Sequence, residues 1–394
     1  MENNLGVEEL KVSVINDVDT RRQQLEGLSL KIHANPETAL KEVKAANWLT
    51  EYLKENGFSV EKGICGLPTA FRASYGRGEP VIAILAEYDA LPKLGHACGH
   101  NLIATSAVGA GVASKLAVDR FGGTIQVMGT PGEEMYGGKG IMVNKGAFND
   151  VDITMMMHPG GLNAAATRFL ACQTLEVEFF GKAAHAAARP EAGINALEAM
   201  LQSFAAINSL RQHIRDDARI HGIITDGGEA ANIVPSHSAG TFIVRAEDDK
   251  YLDELKQRVM NCFIGAATVT GARLEYKWGE VRYAPLRNNL TLARLFRRNM
   301  QSLGRRVHLS DLRRGIGSSD IGNVSQVVPS IHPLVAVSPA KVLIHSPQFA
   351  EVAASETGTR GLLDAAKALA MTVVDLVANP GIVSEVKGEF RQGK

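Results

Sequence analysis

The densest run of reactive side chains is Glu87-Tyr88-Asp89-Ala90-Leu91-Pro92-Lys93-Leu94-Gly95-His96-Ala97-Cys98-Gly99-His100-Asn101. One glycine separates Cys98 from His100, so thiolate and imidazole can turn toward one ion without steric conflict, a pair suited to a borderline-soft divalent metal. A packed core Cys and His would read the same way. Thr130-Pro131-Gly132-Glu133-Glu134 offers adjacent carboxylates, which can divide labour between binding a metal and acting as general base. An isolated Glu pair would instead be a solvated loop. Met155-Met156-Met157-His158-Pro159 and Ile344-His345-Ser346-Pro347 each add an imidazole. Four separated segments that each deliver a metal-capable group point to a metal site.

The elements that must carry these groups alternate. Leu10, Val14, Ile15, Val18 and then Leu25, Leu28, Leu30, Ile32 recur at helical spacing until Pro36, and a second helix follows from Leu40 to about Gly57. Val81–Ala86 is a short apolar run of the kind found in strands buried on both faces. Ala104–Leu116 reads as helix, Thr124–Met128 and Val151–Met157 as strands. Alternating strands and helices predict an α/β domain with a largely parallel sheet, whose ligands lie outside the carboxyl ends of the strands. Every segment quoted above sits there.

Beyond Phe169 the period changes. Thr174–Phe180 and Gly240–Ala246 alternate polar with apolar, with a helical run from Ala192 to about Ile214 between them. A helix over Tyr251–Val259 and a strand over Arg273–Trp278 complete an inserted α+β segment. The expected domains are therefore 1–169 with 286–394, and 170–285. Leu290–Leu303 reads as helix, Val335 marks a strand, and a helix from about Thr357 to Ala378 closes the fold.

Composition excludes several classes. With 394 residues, 45% of them apolar, a sizeable core is available, and 42 basic against 42 acidic side chains leave no surplus for phosphate or anionic lipid. No nucleic-acid or membrane partner is expected. The start lacks a basic, then apolar, secretory pattern, and the apolar runs are shorter than a membrane span; the expected location is cytoplasmic. Four scattered cysteines without a CxxC pair argue against a disulfide framework.

In their order, EYDALP, GHACGHN, GTPGEE, MMMHPG and LIHSPQF resemble the motifs of the co-catalytic metallo-amidohydrolases that include aminoacylase, carboxypeptidase G and succinyl-diaminopimelate desuccinylase. HACGH resembles the branch with hippurate hydrolase and the indoleacetyl-amino-acid hydrolases. The GHN variant is most similar to p-aminobenzoyl-glutamate hydrolase and to dipeptidases acting on β-alanyl or basic dipeptides. The resemblance implies a zinc-exopeptidase-like sheet flanked by helices, with a ferredoxin-like lid and dimerisation domain, and two divalent ions per subunit, zinc or manganese. Cys98 would bridge them in place of the aspartate of other branches. His100 and His158 would complete one site, and Glu134 and His345 the other. Glu133 would be the general base, Asp89 would hold a ligating histidine, and His96 would not be a ligand.

Gly181-Lys182-Ala183-Ala184-His185-Ala186 resembles a motif whose histidine stabilises the oxyanion in the partner subunit, which implies a homodimer. Asn232 matches a position that binds the polar end of the substrate. Arg245, Arg313 and Arg314 are candidates to clamp a substrate carboxylate. The chain departs from the family pattern at Asn101-Leu102-Ile103, where many relatives have GHDxH, and at Gly317–Gly322, where an SEDF-like motif is usual. The expected activity is hydrolysis of the amide bond of an N-acyl or N-aroyl amino acid or dipeptide. Rival expectations are a metal-dependent aminohydrolase releasing ammonia from an aromatic amine or amidine, and a non-catalytic binding protein on the same fold.

Overall fold

The computed structural model describes residues 2–310 and 317–392, which fall into two units. The first takes in the chain up to Arg168 and again from Leu286; the second takes in Phe169–Pro285 and the short stretch ending at Ser318.

The first unit is built on a six-stranded sheet. Its strands are β1 (Ser59–Lys62), β2 (Phe71–Arg77), β3 (Val81–Ala86), β4 (Gly123–Gly129), β5 (Ile153–Met155) and the distant Ser330–Ile331. They lie in the order β1, β2, β4, β3, β5, Ser330–Ile331. β3 pairs in parallel with both β4 and β5 and is buried from Ile82 to Ala86. A strand covered on both faces has no wet side to encode, hence its unbroken apolar sequence. The expectation of a largely parallel sheet is corrected at the other edge, where β1, β2 and β4 pair antiparallel. The link between β1 and β2 is too short for a parallel crossover, so the chain can only fold back as a hairpin.

Helix His100–Ala113 is buried at every position and packs between β3 and the long helix Glu356–Ala378. Gly111 lets the same helix lie close on β4, because a Cβ there would stand 2.3 Å from Val127 Cγ2. Among the described residues one helical stretch, His100–Phe121, is long and apolar enough to cross a bilayer, and 89% of its apolar window is buried in the protein. Core packing accounts for that apolarity. After Ala378 the chain forms one more helix, Pro380–Gln392, than the sequence pattern predicts.

A smaller sheet in the same unit carries His158–Gly160 beside Leu334–Ala336, and His158 N donates to the Pro333 carbonyl at 2.8 Å. Where the chain leaves this unit and where it returns are adjacent: Asn288 Nδ2 donates to the Thr167 carbonyl, while Thr167 Oγ1 donates to the His332 carbonyl at 2.8 Å.

The second unit has a four-stranded antiparallel sheet in the order Arg273–Trp278, Ala171–Phe180, His237–Ala246, Arg219–Asp226. Helices Ala196–Leu210 and Asp249–Thr270 pack on it, giving the ferredoxin-like α+β arrangement. His237–Ala246 alternates half-buried and buried residues along its length, so one face of the sheet is packed. Phe179, Phe242 and Phe263 form the centre of that packing. Arg219–Asp226 carries no period-two signal in the sequence because it is an edge strand with few buried positions.

Candidate metal centre

β3 ends at Ala86, and Glu87 and Asp89, each 1% exposed, follow immediately. The Asp89 carboxylate grips two elements. Its Oδ1 lies 3.0 Å from His100 Nδ1, and its Oδ2 accepts from the Glu134 N–H at 3.0 Å. The Asp89 carbonyl also lies 2.9 Å from His100 Nδ1. These acceptors hold a proton on Nδ1 and turn Nε2 toward the centre. Burial would lower the ring's pKa, but Cys98 and Asp89 outweigh it and hold it well above the ordinary value, so a metal binding here takes the place of the Nε2 proton. That Nε2 is buried and makes no hydrogen bond, which is the state of an imidazole shaped to ligate.

Between Cys98 and His100 the backbone must turn sharply. Gly99 has φ +79°, and a Cβ there would sit 2.6 Å from Pro159 Cγ. Glycine meets both demands at once. Pro159 in turn accepts from His158: its carbonyl lies 2.7 Å from Nδ1, while Nε2 faces Cys98 Sγ at 3.4 Å. Burial, reinforced by His100, lowers the His158 pKa to about 4, so the ring is neutral and its Nε2 can donate an electron pair. From the far end of the chain, His345 adopts φ +63° and donates its backbone N–H to the Ala97 carbonyl at 2.8 Å. This brings His345 Nε2 to 3.3 Å from Glu134 Oε1.

The result is two three-ligand sets that share one sulfur. Cys98, His100 and His158 form one, Cys98, Glu134 and His345 the other, and in each the donor atoms lie within 4.8 Å of one another. The electrostatics favour a cation here. Burial pushes the Cys98 thiol well above its usual range, and Glu134 adds to this. Burial likewise pushes the Glu133 carboxyl well up, with Glu87, Glu134 and Asp320 reinforcing it. Burial would raise Glu134 too, but His345 and His100 outweigh it and hold that carboxyl low. Acidic groups that resist joint ionisation, around a buried imidazole nitrogen with no hydrogen bond, suit divalent ions well. The residues present therefore fit a two-metal group.

Several residues that support the centre carry no motif of their own. Glu42, fully buried, accepts from the Gly132 N–H and the Leu40 N–H at 2.9 Å each and from Thr69 Oγ1 at 3.0 Å. It thereby pins the loop carrying Glu133 and Glu134. Lys139, also fully buried, reaches Glu87 Oε1 and, at 2.8 Å, Asp320 Oδ1. Only Glu87, directly after a buried strand, had a local signal; the others act across long sequence separations. The departure at Gly317–Gly322 thus retains one carboxylate, Asp320. Asn101, at the other departure, is a packing residue whose Nδ2 donates to Ser29 Oγ and the Ala353 carbonyl at 2.9 Å each. His96 is buried, with its ring 6.0 Å from that of His33.

The second unit carries the remaining candidates. His185 is exposed on the loop after Ala171–Phe180, and its Nδ1 accepts from the Ala187 and Ala188 N–H groups at 3.3 and 3.2 Å. The proton therefore sits on Nε2, ready to be donated. Asn232 is on the neighbouring loop, where its carbonyl accepts from Ala186 N at 2.9 Å. Arg245 Nη1 donates to Ser318 Oγ at 2.7 Å and its Nε to His221 Nε2 at 3.3 Å. Arg313 and Arg314 lie outside the described residues.

Residues 172–266 match the family model described as a peptidase dimerisation domain. The chain is 37% identical to Xaa-Arg dipeptidase of Mus musculus, covering 98% of this chain and 93% of the relative. It is 29% identical to one of the p-aminobenzoyl-glutamate hydrolase polypeptides of Escherichia coli K12, covering 95% of this chain and 93% of the relative. A solved Bacillus subtilis structure described as a dinuclear metal binding peptidase from the M20 family shares the fold, with a TM-score of 0.69 at 20% identity over 91% of this chain and 99% of that one.

Proposed function

Because this chain belongs to the M20 peptidase family, we propose that it is a two-metal amidohydrolase that cleaves the amide bond of a dipeptide or an N-acyl or N-aroyl amino acid. The observation that carries this reading is the pair of three-ligand sets sharing Cys98, with Glu133 beside them. Relatives that act on Xaa-Arg dipeptides and on p-aminobenzoyl-glutamate support a substrate with a free carboxylate next to the scissile amide, with a basic dipeptide as the first choice.

Cys98, His100 and His158 would hold one ion, and Cys98, Glu134 and His345 the other. Zinc or manganese suits a donor set of thiol, imidazole and carboxylate. Bound there, the ions supply Lewis-acid polarisation of the carbonyl and make water nucleophilic near neutral pH. The protein's own groups do the rest. Asp89 fixes the His100 ring by its Nδ1–H, and Glu42 holds the Gly132 turn so that Glu133 projects at a constant angle. Glu133 takes the proton from the attacking water as the C–O bond forms, then passes it to the amine nitrogen as the C–N bond breaks. His185 of a second subunit donates its Nε2–H to the carbonyl oxygen as negative charge gathers there. The working form is accordingly a homodimer. A shared thiol ligand suits a reducing compartment, and the cytoplasm is the proposed location.

The test is a mass-spectrometric screen. Protein reconstituted with zinc or manganese meets pooled Xaa-Arg and β-alanyl dipeptides, aroyl-glutamates, N-acyl amino acids and amino-substituted aromatics, with Glu133→Gln as the control. Amide cleavage that disappears in the control is expected. Ammonia release without amide cleavage would overturn the assignment in favour of an aminohydrolase, and silence with no retained metal would favour a binding protein.

A further inference from the structure

A further cluster of metal-sized spacing, built of carboxylates alone, lies beside the two described. Glu87, Glu133 and Asp320 are all buried, and each offers an oxygen within 4.8 Å of the other two. Three carboxylates this close, out of water, repel strongly unless a cation sits among them. Here the chain supplies one. Lys139 is 0% exposed; its Nζ contacts Glu87 Oε1 and lies 2.8 Å from Asp320 Oδ1. Asp320 Oδ2 also accepts the Lys139 backbone N–H at 2.8 Å, so the lysine is held at both ends. Glu133 belongs to this cluster and equally to a cluster with His100 and Glu134. It stands where it could be drawn into a ligand role from either side.

We propose that Lys139 is a tethered cation filling this metal-sized carboxylate pocket, and that it thereby keeps Glu133 out of the ligand set and in position for proton transfer. Lys139 touches no reacting atom in this scheme and is a positioning residue. The proposal rests on the two-metal reading above, but it concerns the difference that one ammonium makes to the number of ions bound. A divalent ion in this pocket would take an oxygen of Glu133 as a ligand, whereas the ammonium, a donor of N–H groups, neutralises the carboxylates by charge and hydrogen bonds and forms no coordinate bond to Glu133.

The experiment counts metal. Wild-type protein, Lys139→Met, Lys139→Arg and the double variant Lys139→Met/Glu87→Gln are saturated with Mn²⁺, desalted, and assayed by inductively coupled plasma mass spectrometry, with circular dichroism to check folding. Lys139→Met is expected to carry one more ion per chain than wild type. Removing one carboxylate in the double variant, or restoring the charge in Lys139→Arg, is expected to return the count to the wild-type value. A folded Lys139→Met protein with the wild-type count would overturn the proposal. Should Lys139→Met not fold without metal, it is refolded across a Mn²⁺ series. Recovery of the native spectrum at Mn²⁺ levels that wild-type refolding does not require is expected, and no recovery at any level would overturn the proposal. Wild-type protein that retains no ions would sink the two-metal reading itself, a result distinct from an unchanged difference between the two proteins.

Discussion

His158 presents Nε2 to Cys98 Sγ at 3.4 Å while its Nδ1 is tied to the carbonyl of Pro159 at 2.7 Å. The ring is thus fixed in the tautomer that ligates, and it is aimed at the one sulfur common to both ligand sets. Losing that sulfur should empty both. Cys98→Ala is expected to retain no tightly bound ion after desalting, whereas Cys98→Asp, which keeps an anionic bridge, should retain two. Metal analysis of the desalted proteins checks this; one ion left in Cys98→Ala would show that the two sets are independent.

Glu133 is the proposed base and not a ligand, so its replacement should separate catalysis from metal binding. Glu133→Gln is expected to lower kcat by roughly 10²–10⁴-fold with metal content unchanged. Steady-state kinetics beside metal analysis decides the point, and a parallel fall in both would reassign Glu133 to the ligand set.

His185 is proposed to act across the dimer, which makes its loss recoverable. His185→Ala should lose roughly 10²–10³-fold in kcat. When His185→Ala and Glu133→Gln chains are mixed and allowed to exchange, half-competent dimers should return roughly a quarter of wild-type activity. Mixing without recovery would mean that His185 serves its own chain or none.

Glu42 gives a pH-dependent prediction. Burial, with Asp89 adding, raises its pKa from the ordinary 4.5 to about 7. The folded state therefore holds this proton where the unfolded chain has released it. Its stabilising contribution is complete below about pH 4.5 and is lost as pH rises through about 7. Glu42→Gln removes that titration. Urea denaturation should show wild type losing stability relative to Glu42→Gln between about pH 4.5 and 7; curves that stay parallel across that window would contradict it.

The ligand-bearing loops were legible in the sequence because each is a short motif directly after an apolar strand or before a helix. Cys98, Glu134 and His158 could be named without knowing how the strands are ordered. The supports were not legible in the same way. Glu42 meets Gly132 and Lys139 meets Asp320 only through the folded sheet, and nothing near Lys139 marks it as the partner of a carboxylate so far along the chain. Likewise β1 and β2 form the antiparallel edge with no buried residue in β1, so periodicity had nothing to act on there.

The adjacent exit and return at Thr167 and Asn288 bring the two ends of the main part of the second unit together, while its short stretch ending at Ser318 stays on the returning chain. All five proposed ligands, the proposed base and their supports lie on what remains when residues 169–285 are bridged by a short linker. A chain so shortened would be an ion-binding relic of the enzyme: able to load metal, yet stripped of His185 and of the segment that matches a dimerisation domain. The groups proposed to activate water thus lie on one unit and the group proposed to greet the substrate on the other.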